Sequence, residues 1–213
     1  MRRLLYLGVM SILVLALSGC GGGGDSRTIF VAQIFSDQPT DGDIAFDPVL
    51  QTFTITQGPD TLFFGIDELD PNLSEFRAFL DFPLDGSTGQ DVVPADAVIV
   101  SATLEVTVFE VSFATVVPTL IELIQYPISA LTQGDFNSDP LASRTLDFLS
   151  SDVNRPAVAI DVTPLMREAQ RLGLLDFQVR FLLDLVPNAF GFVGIDDRPT
   201  VVLTAPLLTV EFQ

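Results

Sequence analysis

From residue 28 onward, apolar and polar positions alternate with the period of two that places successive side chains on opposite faces of a strand. Over residues 74–82, Phe76, Ala78, Leu80 and Phe82 fall on one face and Glu75, Arg77 and Asp81 on the other, which predicts a half-buried strand. Residues 97–109 repeat the pattern with Val98, Val100, Ala102, Leu104, Val106 and Val108 inward, while Ile99, Phe109 and Phe113 keep the opposite face from being fully wet. Residues 176–185 gather Phe177, Val179, Phe181, Leu183 and Leu185 on one side. Shorter β-branched and aromatic runs predict strands over 28–35, 51–56, 62–66, 119–126, 157–162, 190–195, 200–203 and 207–212, whereas 145–149 is ambiguous. One helix interrupts them: Thr163 can cap it, Pro164 suits its first turn, 165–172 carries it and Gly173 can close it. Its Arg167, Glu168 and Arg171 read as a solvated face. No fixed-period repeat or second linker divides residues 28–213. The expectation is a single all-β domain, an antiparallel β-sandwich of jelly-roll type with one short helix near 164–172.

The first residues follow another pattern. Arg2 and Arg3 precede a nearly unbroken apolar run over 4–17, and Ser18 and Gly19 then lead to Cys20, the chain's only cysteine. This is the layout of an export signal. Leu17-Ser18-Gly19-Cys20 resembles the lipobox of bacterial lipoproteins. That resemblance implies a diacylglyceryl group on the Cys20 thiol, removal of residues 1–19 and an acylated N-terminus at Cys20. An ordinary cleaved signal and an uncleaved anchor are the alternatives, because the apolar run could nearly span a bilayer. A free secreted chain with one cysteine would carry an unpaired thiol, whereas acylation accounts for both its number and its place. Gly21 after the cysteine, in place of an aspartate, resembles lipoproteins sent on to an outer membrane. Residues 20–27, with Gly21 to Gly24 at their centre, read as a lipidated, flexible tether.

Charge narrows the partners. All ten basic residues are arginines, there is no histidine, and the 28 acids leave a net charge of −18. Loss of Arg2 and Arg3 with a signal takes it to about −20. Nucleic acid and anionic headgroups need clustered basic residues and are excluded as partners on this ground. Without histidine, lysine or a second thiol, no Ser-His-Asp triad, Cys-His pair, Schiff-base lysine or His-ligated zinc can form. Carboxylate pairs alone could do acid/base work, and most of the 18 phenylalanines fall at core-facing positions, with no tryptophan to offer a sugar platform. The inventory points to a protein that is not an enzyme. A chain this long needs no disulfide, metal or other cofactor to fold. Asp37, Asp41, Asp43 and Asp47, around Pro39 and Gly42, read as an Asx-rich loop. A calcium site is the sharper reading of the same four aspartates, since Ca²⁺ takes six to eight hard oxygen ligands.

Three passages suggest a family: Arg77-Ala-Phe-Leu-Asp-Phe, Ala97-Val-Ile-Val-Ser-Ala-Thr-Leu-Glu-Val, and Val158-Ala-Ile-Asp-Val-Thr-Pro-Leu-Met. Their order resembles DNRLRE-type domains of bacterial surface and secreted proteins, over roughly residues 51–212. The resemblance implies a non-catalytic sandwich, similar to carbohydrate-binding jelly rolls, used for surface attachment, structure or glycan contact. Two function classes follow. One is a lipid-anchored structural or adhesive module of the cell envelope, held to a membrane by its N-terminal lipid and acting through protein contacts. The other is a polysaccharide-binding module, calcium-assisted through 37–47 or Asp196-Asp197.

Overall fold

A computed structural model describes residues 28–87, 90–184, 190–198 and 204–213. The expectations for Leu17 to Cys20, the glycine tether, Leu185 and the strand at 200–203 lie outside those residues. Within them the order is β1 (Phe30–Phe35), β2 (Gly42–Asp47), β3 (Thr52–Gln57), β4 (Thr61–Ile66), β5 (Glu75–Pro83), β6 (Ile99–Ser112), β7 (Val116–Ile124), β8 (Ala142–Leu149), β9 (Val158–Asp161), α1 (Thr163–Leu172), β10 (Asp176–Leu183), β11 (Phe192–Asp196) and β12 (Leu207–Phe212). The fold is all-β, and every described pairing is antiparallel.

β6 joins the two faces of this sandwich-like, curled sheet. Its first half pairs with β12 and β9, and β12 in turn with β1. Its second half pairs with β11, from which the order continues β4, β5, β10, β7 and β8. The β2–β3 hairpin joins β5. Ala32, Ile34, Leu104 and Val210 from one side meet Phe64, Leu80, Val179 and Phe181 from the other in the main core, with Leu165, Met166 and Ala169 of α1 packed in. Each such large side chain contributes about 1.5–3 kcal/mol of burial.

Three expectations about the strands are corrected. Residues 42–47, expected to be loop, form β2, because the cross-strand register with β3 and β5 outweighs the turn preference of Asp43 and Asp47. β5 is not half-buried: Phe79 and Asp81 are as closed off as their inward neighbours. A second cluster of Ile44, Phe79, Ile124, Tyr126, Leu131 and Phe136 covers its other face. In β6 a bulge sets Ile99 opposite Phe212 and Ser101 opposite Glu211, leaving Val100 as the extra residue. The alternation therefore resets, and Ile99 is buried while Val98 is 59% exposed.

The helix is also capped differently. Val162 is its N-cap residue. The Asp161 carboxylate accepts the Thr163 N–H (3.0 Å), and the Thr163 hydroxyl accepts the Ala102 N–H instead (2.9 Å). Gly173 closes α1 in the left-handed conformation at φ 69°, where a glycine is favoured. Arg167 does not point into solvent alone. Its Nε and Nη2 donate to the carbonyls of Ile99 and Val100 at 3.2 and 2.9 Å, so the helix fastens the bulge. Arg171 and Glu168 form an i,i+3 ion pair on the face that the sequence reads as solvated.

Candidate functional site

The residues most at odds with their surroundings are three carboxyls at the edge of β5. β1 ends at Phe35, Ser36 N–H donates to Pro206 O, and Asp37 N–H donates to Asp81 O at 2.8 Å. The Asp37 carboxylate takes the Thr40 hydroxyl, and the Asp37 carbonyl takes the N–H groups of Thr40 and Asp41. This tight turn lays Asp41 against β5, one step beyond the β2 pairing that begins at Gly42 and Phe79. There Asp41 Oδ1 accepts the Asp81 N–H at 2.6 Å, a side chain standing in for a ladder rung. From the loop after β11, Asp197 closes the group: its N–H donates to Asp60 O, and its Oδ1 accepts the Ser36 hydroxyl at 3.0 Å.

Asp41, Asp81 and Asp197 are exposed by 0, 1 and 1%. Asp41 Oδ2, both Asp81 carboxyl oxygens, Asp197 Oδ2 and the Tyr126 hydroxyl have no hydrogen-bond partner among the described residues. No described ion pair reaches these carboxyls, and Arg198, next in sequence, is taken by Asp196. Burial, then the neighbouring Asp197, pushes the Asp41 carboxyl well above the usual carboxylate range. Burial, then Asp176, pushes Asp81 up to about 7. Burial pushes Asp197 up to about 7 as well. The Tyr126 phenol is raised by burial, then by the charges of Asp41 and Asp81. The like charge of Asp197 is the second cause that raises Asp41, so a proton on either carboxyl relieves the repulsion between them. The site is closed to any substrate, and its chemistry is the holding of protons.

The four aspartates assigned to calcium are not one site. Asp37 serves its turn and Asp41 the buried cluster. Asp43 Oδ2 accepts the Phe63 N–H (3.2 Å), with burial raising its pKa to about 6. Asp47, at the far end of β2, caps the N–H groups of Val49 and Leu50 and takes the Asn72 amide, so backbone hydrogen bonding lowers its pKa. At about 3.3 Å per residue, Asp43 and Asp47 stand about 13 Å apart along the strand, beyond the 2.3–2.6 Å ligand shell of one Ca²⁺. Among the described residues no three acidic, histidine or cysteine side chains converge as a metal site requires.

Sequence reasoning missed Asp81 because a strand carboxylate opposite apolar residues reads as solvent-facing. Arg77 and Arg180 mislead in the same way. Both are buried on the covered face of β5 and β10, where they pin the loop after β7. Both donate to the Phe136 carbonyl, the Arg77 guanidinium lies 3.9 Å over the Phe136 ring, and Arg180 also pairs with Glu122. Phe76, expected to face inward, instead joins Phe63, Phe109, Phe113 and Phe192 in a plate on the outer face of β4, β5, β6 and β11, where Phe109 and Phe113 were expected. Phe63 stacks on Phe192 at 5.1 Å, Phe76 meets both edge-on, Phe109 meets Phe63 edge-on, and Phe113 lies against Phe192. Phe109 and Phe113 are 39 and 37% exposed. A second bulge, at Phe109, lays its ring over Gly194, where a Cβ would come within 2.4 Å.

Compared with known proteins, the chain matches no protein-family model, and no curated protein matches it in sequence.

Proposed function

We propose that this chain is a lipid-anchored, non-catalytic protein of the cell envelope, whose β-sandwich serves as a structural or adhesive module. The observation that carries the reading is the sole cysteine, placed at the end of Leu17-Ser18-Gly19-Cys20 after an apolar run and before four glycines. A domain whose first strand begins at Phe30 fits a module carried on that tether. Several acyl chains at about 0.8 kcal/mol per buried CH₂ are enough to hold it at a bilayer, the outer membrane where the cell has one. The non-catalytic part is supported by the residue inventory and by the closure of the buried carboxyls to solvent. Among the described residues no helix is long and apolar enough to cross a membrane.

Expression of the full chain with an alkyne-tagged fatty acid tests the reading. The expected result is label on the protein and recovery in the membrane fraction, both lost in Cys20→Ala. Equal membrane recovery of Cys20→Ala without label overturns it.

A further inference from the structure

The described sheet has four edge strands, and three of them are guarded. On β1, Asp91 Oδ2 accepts the outward Gln33 N–H at 3.0 Å and Gln90 Oε1 accepts that of Phe35. β8 carries Arg144 and Asp147, and Arg144 reaches across to Asp161 on β9. β9 is four residues long and runs straight into α1. β3 has none of these devices. It pairs with β2 alone, and five of its six residues are exposed. Residues 48–59 contain no charge, in a chain whose net charge is −18. No described residue hydrogen-bonds the outer backbone edge of β3. An exposed, uncharged strand edge is a template for pairing with another chain.

The sequence of β3 also says which chain. Read antiparallel to itself about Thr54, Thr52 lies opposite Thr56 and Phe53 opposite Ile55, with Thr54 facing its own copy. Directly opposite residues share a face, so a two-fold axis through Thr54 keeps the threonines together on one side. On the other side Phe53 and Ile55 meet twice. Thr–Thr and aromatic–β-branched neighbours are the favoured cross-strand pairs, and no like charges are brought opposite one another. Ile55, now 40% exposed, would be covered by Phe53 of the second copy. We propose that β3 is a homodimer interface, in which two copies of this chain join edge to edge through β3 and continue one sheet across both domains. The assignment does not depend on the lipid anchor.

Cysteine cross-linking in the full chain tests it, with the wild type and its single Cys20 as baseline. Antiparallel partners stand about 4.5–5.5 Å apart at Cα, within disulfide reach. Thr54→Cys is expected to give a covalent dimer on mild oxidation, in the Cys20→Ala background as well. Thr145→Cys, which is also exposed, on the edge of β8, is expected to give none above baseline. Adding Ile55→Lys removes two favoured pairs and sets two ammonium groups at the seam, so the cross-linked fraction falls about tenfold. Sedimentation of the Ile55→Lys protein in detergent is expected to show monomer with an unchanged melting temperature. Cross-linking of Thr54→Cys no greater than that of Thr145→Cys, or a dimer that survives Ile55→Lys, overturns the proposal.

Discussion

Replacing Asp81 with asparagine isolates the energetic consequence of a carboxyl buried without a cation. In the unfolded chain this carboxyl titrates near 3.8, and in the folded protein it titrates near 7. The native state therefore keeps a proton that the unfolded state releases, so the contribution is fully present below pH 4 and is lost as pH rises through 7. A separation of about three units corresponds to about 4 kcal/mol at about 1.4 kcal/mol per unit. Asparagine has nearly the same shape and never ionises. Asp81→Asn is thus expected to match the wild type within about 1 kcal/mol at pH 4 and to exceed it by about 4 kcal/mol at pH 8. Urea unfolding at the two pH values, followed by circular dichroism, reads the difference directly from the midpoint and slope. An Asp81→Asn stability change that is the same at pH 4 and pH 8 would refute the account of this carboxyl.

Other perturbations address the remaining parts of the structure. The wild type as a whole is expected to be more stable at pH 5 than at pH 8, because Asp43, Asp81 and Asp197 are all raised, and a pH series of melting curves shows it. Arg180→Met leaves Glu122 buried without its partner and the Ser138 carbonyl without its guanidinium donor, at a cost of about 3–5 kcal/mol by urea unfolding. Gly194→Ala drives a methyl into the Phe109 ring and is expected to cost about 1–3 kcal/mol, most of it recovered when Phe109→Ala is added. A glycan array probed with the full chain is expected to show no binding, with calcium or with EDTA; binding abolished by EDTA would favour the polysaccharide-binding alternative.

The strand at 207–212 carries over as β12, its buried and half-buried positions alternating, and the inward set of β10 (Phe177, Val179, Phe181 and Leu183) is core as expected, although the other face of β10 is buried as well. β2 was hidden by its own composition. Asp43 and Asp47 are turn-formers locally, and pairing with β3 and with β5 makes Gly42–Asp47 a strand. The bulges at Val100 and Phe109 break a period-two reading without any proline or glycine in β6 to announce them. Gly194 on the partner strand was the one available signal for the second. Asp41 and Asp197 stood out as members of acidic loops, but their meeting depends on the turn at Asp37 and on the loop after β11. Arg77, Asp81 and Arg180 were legible only as polar positions within strands. That pattern means solvent in a two-layer sheet unless a loop folds back to cover it, as residues 126–137 do here.

The central claim concerns the N-terminus, and mass spectrometry of the N-terminal peptide from protein purified out of bacterial membranes tests it most directly. The account predicts a peptide that begins at Cys20 and carries the mass of a thioether-linked diacylglyceryl group. A peptide retaining residues 1–19, or one with a free Cys20 thiol, would contradict it.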